Sequence, residues 1–282
     1  MKIVTCGDSW CWGAELVDPD QEPFWIPNAD NHHLHLLPVH EKYRLEHKYI
    51  RIFAEGVQAD EIVDLSQCSI SNDAVVRRLT EWLLVEGYTT GRDTSDLFIS
   101  IGWTSPERVE FYNKECGGVD RGWLAFGSWS TNDGVYENSD ISKFMKLYFR
   151  HCLSEEGFIH HWLSQLWQTE MMLKRFNIKY VMFQAFYDHC YHGYSPHQWD
   201  DHKYTADYID VISPGDKILK QSFDPLRFME WSSEKIGTSH NFMVNAAGGD
   251  ATKVIGSWHP NVLGHSIWGE HMVKHCLGNK LI

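Results

Sequence analysis

Short apolar stretches alternate with helical patterns along most of this sequence, and this alternation is what most constrains its fold. The stretches have the length and β-branched content of buried strands, and they are Lys2–Cys6, Glu61–Leu65, Asp96–Ile101 and Tyr180–Gln184. Strands that alternate with helices pair in parallel through right-handed crossovers. The sequence therefore predicts a three-layer α/β/α fold with a central parallel sheet of about five strands.

Helical patterns fill the segments between these strands. They cover residues 44–56, 72–87, 141–176 and 262–276. Asn72 and Asp73 are expected to cap the second of these helices. The third range is long enough for one bent helix or two, and Gly157 is the predicted break. The fourth range, rich in apolar residues, is predicted to close the fold.

Three segments lack either pattern and are interpreted as loop insertions in a single domain that spans residues 1–282. They lie near residues 17–43, 104–138 and 187–204 and are rich in Pro, Gly, Asn, His and aromatic residues. Nothing resembling a Pro/Gly/Ser-rich linker divides the chain. Aromatic loops are compatible with stacking on sugars, although rigid packing within long loops is the favoured explanation.

Charge and composition exclude several classes of protein. The 282 residues carry a formal net charge of −13, which disfavours binding to a phosphate backbone, so no nucleic-acid partner is expected. The seven cysteines form no CxxC pair, which is typical of reduced thiols. The sequence shows no secretory signal pattern and no apolar run long enough for a membrane span. We therefore expect a soluble cytoplasmic protein without a membrane partner; its oligomeric state is not predicted.

Ser9 is the candidate nucleophile. It follows the first predicted strand in the sequence Gly7-Asp8-Ser9. In an open α/β sheet ligands bind at the carboxyl ends of the strands, so a serine at this position faces a crevice. A serine hydroxyl needs a base to become nucleophilic. His259 is the candidate base, because it precedes Pro260 at the start of the closing helix and so lies on a loop.

Four segments together resemble the SGNH/GDSL hydrolase family. Gly7-Asp8-Ser9 is similar to the first block of that family, residues 62–72 to the second, residues 98–105 to the third, and His259-Pro260-Asn261 to the last. Each segment is short, but all four occur in the family's order at predicted strand ends or before the closing helix. The resemblance implies a flavodoxin-like SGNH fold and a serine esterase that needs no cofactor or metal.

The resemblance is incomplete at the residues that would bind the oxyanion. The family uses the N–H of its serine, a glycine in block two and an asparagine in block three, and this sequence keeps only the first. Candidate substitutes near block two are a backbone N–H at Ser69 or Ser71 and the side chain of Asn72. In block three the asparagine position holds Thr104, followed by Ser105. The set of candidates that bind the oxyanion or the substrate also includes Asp8, Gly102 and Arg108.

The acid of the catalytic triad is also missing. The family has an aspartate three residues before the histidine, and Gly256 occupies that position. A backbone carbonyl, or a more distant carboxylate such as that of Asp250, would have to orient the imidazole. His265, on the closing helix, is interpreted as structural. Arg108 is expected either to orient an anionic substrate or to form a surface ion pair with Glu107 or Glu110.

Three functions remain open at this stage. The first is removal of a small acyl group, such as acetyl, from a carbohydrate or similar polar ester. The second is a binding protein that has kept the fold and lost turnover, as the missing aspartate and asparagine would suggest. The third is a metal hydrolase built on the histidine-rich loop, with ligands drawn from Asp188, His189, His192, His197, Asp200, Asp201 and His202. The loop matches no zinc signature, and the chain has no P-loop and no GxSxG motif.

Overall fold

Four parallel strands form the central sheet. The computed structural model describes residues 1–14, 16–20, 38–112, 122–126, 140–151, 155–185, 223–229, 239–256 and 259–282, and the statements below concern these residues. The strands are β1 (Lys2–Cys6), β2 (Glu61–Asp64), β3 (Leu97–Trp103) and β6 (Lys179–Gln184), in the order β2-β1-β3-β6. Two further strands, β4 (Val109–Tyr112) and β5 (Trp123–Phe126), form a separate antiparallel pair. The predicted α/β class is confirmed.

A single β-bridge lies next to β6, where a fifth strand would pair. Met182 forms an isolated parallel bridge with Phe228. The N–H of Met182 donates to the carbonyl of Arg227 at 2.7 Å, and the N–H of Met229 donates to the carbonyl of Met182 at 2.8 Å. The described sheet thus has four strands and a single bridge where a fifth would pair, against the prediction of about five.

Eight α-helices lie in the described part of the chain. They are α1 (Ser9–Trp12), α2 (Pro38–His47), α3 (Tyr49–Gly56), α4 (Asn72–Val85), α5 (Asp140–His151), α6 (Glu155–Arg175), α7 (Ser239–Ala246) and α8 (Val262–Gly278). Single 3₁₀ turns occur at Tyr88–Thr90 and Ala251–Lys253. The predicted end at Gly56 and the predicted closing helix are both confirmed.

Alternation of side chains along the strands divides the core between two faces of the sheet, as a period of two residues requires. Val4, Ile99 and Met182 pack on one face with buried residues of α4 and α6. Their neighbours Ile3, Phe98 and Val181 pack on the other face with residues of α3, α7 and α8. The result is the predicted arrangement of three layers.

Helix α2 begins inside the segment that the sequence analysis interpreted as irregular. The buried positions that follow one another at helical spacing are His40, Arg44 and, just beyond the helix, Lys48. A search for apolar periodicity cannot detect a helix whose buried face is polar. The prediction of irregular structure up to residue 43 is therefore wrong from Pro38 onward.

Two other predicted boundaries need correction. Gly157 is the third residue of α6, which begins at Glu155, and α5 ends at His151. The segment at 104–138 contains β4 and β5, which the sequence analysis did not predict. The loop at 187–204, with its cluster of histidine and aspartate residues, lies outside the described residues.

Candidate active site

Ser9 lies at the start of a short helix directly after β1. Asp8 caps this helix: its backbone is extended and its Oδ1 accepts from the N–H of Trp10 at 3.0 Å. At the other end Gly13 adopts a left-handed conformation, and the N–H groups of Gly13 and Ala14 both donate to the carbonyl of Ser9. The side chain of Ser9 is thus held on a short turn with both ends capped.

Two glycines bring this turn against β3. A Cβ built on Gly7 would lie 2.3 Å from the sulfur of Cys11, and one on Gly102 would lie 2.1 Å from the same sulfur. Real side chains cannot approach so closely, so both positions require glycine for the buried thiol of Cys11 to fit. Gly102, one of the candidates to bind the oxyanion or the substrate, allows α1 to pack closely on the sheet.

His259 meets Ser9 from the opposite end of the chain. Its Nε2 lies 2.9 Å from the Oγ of Ser9, across 250 positions of sequence. Backbone contacts position the loop of the histidine: the N–H of Gly256 donates to the carbonyl of His259 at 2.8 Å, and Ile255 forms a bridge with Pro260. Asn261 then caps α8 by accepting from the N–H of Gly264 at 3.0 Å. Ser9 and His259 are therefore brought together as the sequence predicted.

The pair lies where the strand order reverses. From β1 the chain passes to β2 on one side of β1 and then to β3 on the other. The carboxyl ends of β1 and β3 therefore diverge into crossovers that cover opposite faces, and a crevice opens between them. Ser9 follows the end of β1 by three residues. This is the position at which an open parallel sheet binds its ligands.

Thr104, just after β3, joins three elements around the crevice. Its hydroxyl donates to Oδ2 of Asp8 at 2.6 Å, and its N–H donates to Oδ1 of Asn72 at 2.8 Å. Its carbonyl accepts from the side-chain amides of Asn72 at 3.1 Å and Gln184 at 3.0 Å. All four residues are buried. Thr104 therefore ties the end of β1 to the start of α4 and the end of β6.

These contacts correct our predictions for the oxyanion donors. The Thr104 hydroxyl donates to Asp8 and the Ser105 hydroxyl donates to Glu107. The amide of Asn72 donates to the carbonyls of Thr104 and Ser105. Polar groups that make strong internal hydrogen bonds are poor donors to a substrate. The donor groups of these three side chains therefore point to other residues of the protein rather than to an oxyanion.

The loop before α4 differs from the prediction in two ways. The N-cap of α4 is Ser71, whose Oγ accepts from the N–H of Ala74, rather than Asn72 or Asp73. Ser69 is exposed and has a φ of 60°, a left-handed conformation that glycine adopts without strain. Ser69 thus takes the glycine-like backbone shape in the segment where the resemblance expects a glycine.

Arg108 is a buried partner of the nucleophile's turn. Its Nη1 lies 3.6 Å from Oδ2 of Asp8 and donates to the carbonyl of Ile70 at 3.3 Å. Burial lowers the pKa of the guanidinium, and the charge of Asp8 opposes that shift. The predicted surface ion pair is therefore wrong, since Arg108 is buried and Glu110 pairs with Arg77 instead. Asp8 is fully buried, so its carboxylate balances this charge inside the protein.

Asp250, the distant carboxylate proposed to orient the imidazole, is used elsewhere in the base-side loop. Asp250 caps the 3₁₀ turn at residues 251–253 by accepting from the N–H and hydroxyl of Thr252, which lowers its pKa. Gly256 contributes its backbone N–H to the turn around His259. Among the contacts of the described residues, Asp250 is a helix-capping residue of this loop rather than a partner of the imidazole.

His265 lies below this loop on α8 and is fully buried. Its Nδ1 accepts from the N–H of Tyr49, the first residue of α3, at 3.2 Å. Burial lowers the pKa of His265 to about 3, and the charges of Lys48 and His259 add to this effect. The ring is therefore neutral at pH 7 with its proton on Nε2. The structural role that the sequence analysis gave to His265 agrees with this position between α3 and α8.

The sequence patterns did not mark Gln184 or the ion pair of Lys48 with Asp64. Gln184 ends β6 and contacts Thr104, a position that the rule of strand ends would have marked. Lys48, which is buried, forms an ion pair with the partly buried Asp64 at the end of β2. No spacing rule connects Lys48 with Asp64, so only the fold reveals this pair.

The described residues contain no cluster of three or more histidine, cysteine, aspartate or glutamate side chains arranged to hold a metal ion. Nor does any helix in the described ranges have the length and apolar character needed to cross a membrane.

Comparisons with known proteins give one family. The model of a family described as "Family of unknown function (DUF6071)" matches residues 31–281. No curated protein matches the chain.

Two solved structures are similar along most of their length. One is the psychrotrophic esterase EstA from Pseudoalteromonas sp., with a TM-score of 0.44, 11% identity, and coverage of 98% of this chain and 97% of that one. The other is the lipase Lip_vut3 from a goat rumen metagenome, with a TM-score of 0.41, 11% identity, and coverage of 96% and 94%. At 11% identity and these TM-scores, the similarity does not identify the function of this chain.

Proposed function

We propose that this chain, which belongs to the family of unknown function DUF6071, is an ester hydrolase of the SGNH type with Ser9 as nucleophile and His259 as general base. The observation that carries the proposal is the 2.9 Å contact between Ser9 Oγ and His259 Nε2 at the carboxyl end of β1. A serine and a histidine 250 positions apart meet here in the geometry that proton transfer requires. The order of the four sequence blocks supports the same reading.

The chemistry proceeds in two steps. His259 accepts the proton of Ser9 as the oxygen attacks the ester carbonyl, and it then gives that proton to the leaving alcohol. The acyl group remains on Ser9 until water, deprotonated by the same imidazole, attacks it. The acid is released and Ser9 regains its proton. The reaction needs a neutral imidazole at the start of each step.

Backbone N–H groups are the proposed donors to the oxyanion. The N–H of Ser9 is at the first position of α1, where a helix cannot satisfy it internally. The left-handed conformation of Ser69 turns the loop before α4, and its N–H is our candidate for the second donor. A fixed donor of this kind contributes roughly 3–4 kcal/mol to the transition state. The side chain of Thr104 instead supports the turn that carries Ser9, and Asn72 holds the backbone of Thr104.

A small acyl group on a carbohydrate or a similar polar ester is the proposed substrate class. Aromatic residues are frequent in the segments that flank the site in sequence, and such side chains stack on sugar rings. No cofactor enters this chemistry.

One observation favours a second candidate. The side chains of Asn72, Thr104 and Ser105, the candidate oxyanion donors, all donate hydrogen bonds to other groups of the protein. This is expected of a binding protein that has lost turnover. In that case Ser9 and His259 would remain as part of a ligand pocket. The metal hydrolase involves residues outside the described ranges and stays an untested prediction.

Ester hydrolysis by the purified chain tests the proposal. We expect turnover of 4-nitrophenyl acetate and of O-acetylated sugars that a strong chelator does not change. Ser9→Ala and His259→Ala should each lower kcat by at least about a thousand-fold, because the two residues act as one unit. Full activity in Ser9→Ala would refute the mechanism. Activity that the chelator removes and zinc restores would favour the metal hydrolase, and no turnover by the native chain would favour the binding protein.

A further inference from the structure

A pocket of about 170 Å³ lies between the start of α4, strand β4 and helices α5 and α6. Its walls include the aromatic side chains of Phe111, Tyr148 and Phe158, and its polar groups are Asp73, Glu110 and His161. Pockets for drug-sized ligands are about 300–1,000 Å³, so this one is the size of a single ring.

Short chains of contacts connect the pocket to Ser9. Asp73 follows Asn72, which bonds to Thr104, and Thr104 bonds to Asp8 beside the nucleophile. From the other wall, Glu110 lies two residues after Arg108, whose guanidinium is 3.6 Å from the same carboxylate of Asp8. Asp73 and Glu110 in the pocket wall therefore lie within two residues of side chains that hold the turn of Ser9.

The charges in the pocket are balanced in pairs. Oδ1 of Asp73 lies 2.9 Å from Nε2 of His161, and this contact raises the pKa of His161. Glu110 accepts two hydrogen bonds of 3.0 Å from Arg77. Since Glu110 is paired with Arg77 and Asp73 already accepts from His161, a ligand with a net charge gains little here. A neutral ligand is the better fit.

One oxygen of Asp73 remains available as an acceptor. Its Oδ1 also accepts from Nε2 of Gln165 at 2.5 Å, whereas no described residue donates to its Oδ2. A carboxylate oxygen fixed in this way on a pocket wall accepts strongly from a hydroxyl. The facing wall is aromatic, with the rings of Phe111 and Tyr148 packed edge to face at 5.1 Å.

We infer that this pocket binds a neutral monosaccharide ring, with the hydroxyls of the ring donating to Asp73 and its C–H face resting on the aromatic wall. The inference rests on the proposed function in one respect: the ring is placed as the alcohol portion of the ester that Ser9 attacks. A sugar has both an apolar face and hydroxyl edges, and the pocket has a matching surface for each.

Two variants and a matched control test this inference. Asp73→Asn removes the charged acceptor, and Phe158→Ala removes part of the aromatic wall. Phe144→Ala is the control, because Phe144 packs on Phe111 and Tyr148 in the same aromatic group and is not among the lining residues of the pocket. The substrates are mono-O-acetyl methyl glycosides of neutral sugars and 4-nitrophenyl acetate.

The ratio of kcat/KM for the sugar ester to kcat/KM for 4-nitrophenyl acetate should fall at least tenfold in both pocket variants and stay within twofold in Phe144→Ala. An unchanged ratio in the pocket variants, or a loss confined to longer aliphatic acyl chains, would overturn the inference while leaving the esterase intact.

A binding measurement separates this result from failure of the esterase itself. In the Ser9→Ala variant, calorimetry with the deacetylated methyl glycosides should show saturable binding that Asp73→Asn abolishes. This outcome would support the pocket even if the native chain hydrolysed no ester. No binding, or tighter binding of an acidic sugar than of a neutral one, would refute it.

Discussion

The two members of the proposed dyad are held in place by different means. Ser9 is on a turn fixed by buried side chains, with Asp8, Thr104 and Arg108 in one connected network. His259 is on a loop fixed by backbone contacts and by the cap at Asn261. On the nucleophile side the hydroxyls of Thr104 and Ser105 make internal hydrogen bonds, whereas on the base side Asp250 caps a turn. Side-chain contacts therefore fix the nucleophile and backbone contacts fix the base, and variants on each side can separate the two.

The largest expected effect compares two aspartates that cap turns on opposite sides of the site. Asp8→Ala should destabilise the fold by about 3–5 kcal/mol, because it leaves the buried Arg108 without its partner carboxylate. Asp250→Ala, the matched control on the base side, removes a cap on an exposed turn and should cost much less. Urea denaturation of both variants measures the difference. Equal losses would show that the two sides are held alike.

The next effect depends on pH and concerns His265, under the base-side loop. Its folded pKa of about 3 lies below the ordinary value of 6.5, so the unfolded chain binds the proton more readily. Stability from this group is therefore complete above pH 6.5 and is lost as the pH falls toward 3. By pH 5 the loss relative to pH values well above 6.5 should be about 2 kcal/mol, because the slope approaches 1.36 kcal/mol per pH unit below pH 6.5.

Denaturation of the native chain and of His265→Gln at several pH values checks this slope, which should be flatter in the variant. His161→Gln is the control with the opposite sign. Its partner Asp73 raises the pKa of His161, so its contribution is present at low pH and lost as the pH rises through that pKa. His161 is half-exposed, so the effect should be small. Parallel pH curves for the native chain and His265→Gln would contradict the assignment.

A third prediction tests how tightly α1 is packed on the nucleophile side. Gly102→Ala places a methyl group against the sulfur of Cys11 and should destabilise the fold by about 1–3 kcal/mol. Combining it with Cys11→Ala should recover part of this loss, because the sulfur that clashes is gone. A double-mutant cycle with no coupling between the two positions would show that Cys11 does not set this distance.

The smallest effect is expected at the cap of α8. Asn261→Ala removes the hydrogen bonds to Gly264 and to the carbonyl of Lys253 and should cost about 1 kcal/mol. Because this cap adjoins His259, we expect kcat for an ester to fall more than the stability loss alone implies, with KM unchanged. A fall in stability without any change in kcat would show that the loop of His259 does not depend on its cap.

The sequence predicted the fold better than the roles of its polar residues. Strands, the closing helix and the meeting of Ser9 with His259 follow from apolar periodicity and from the rule of strand ends. Helix α2 was missed because its buried face is His40 and Arg44, which no apolar pattern marks.

The errors at Thr104, Asn72 and Arg108 have a different cause. A polar residue near a strand end can point to the substrate or to a neighbouring element, and the sequence does not distinguish the two. Here the three-dimensional partners decide: Thr104 and Arg108 both turn to Asp8, and Asn72 turns to the backbone of Thr104. Such contacts join residues as many as 100 positions apart, beyond the reach of a spacing rule.

Labelling with a serine-directed fluorophosphonate tests the central claim most directly. The reagent should modify Ser9 alone, since only a serine with a base at hydrogen-bond distance reacts readily. His259→Ala should abolish the labelling while circular dichroism shows an intact fold, and Asp250→Ala should label like the native chain. The account predicts one modified peptide containing Ser9 that depends on His259. Labelling at another serine, or labelling of Ser9 that persists in His259→Ala, would contradict it.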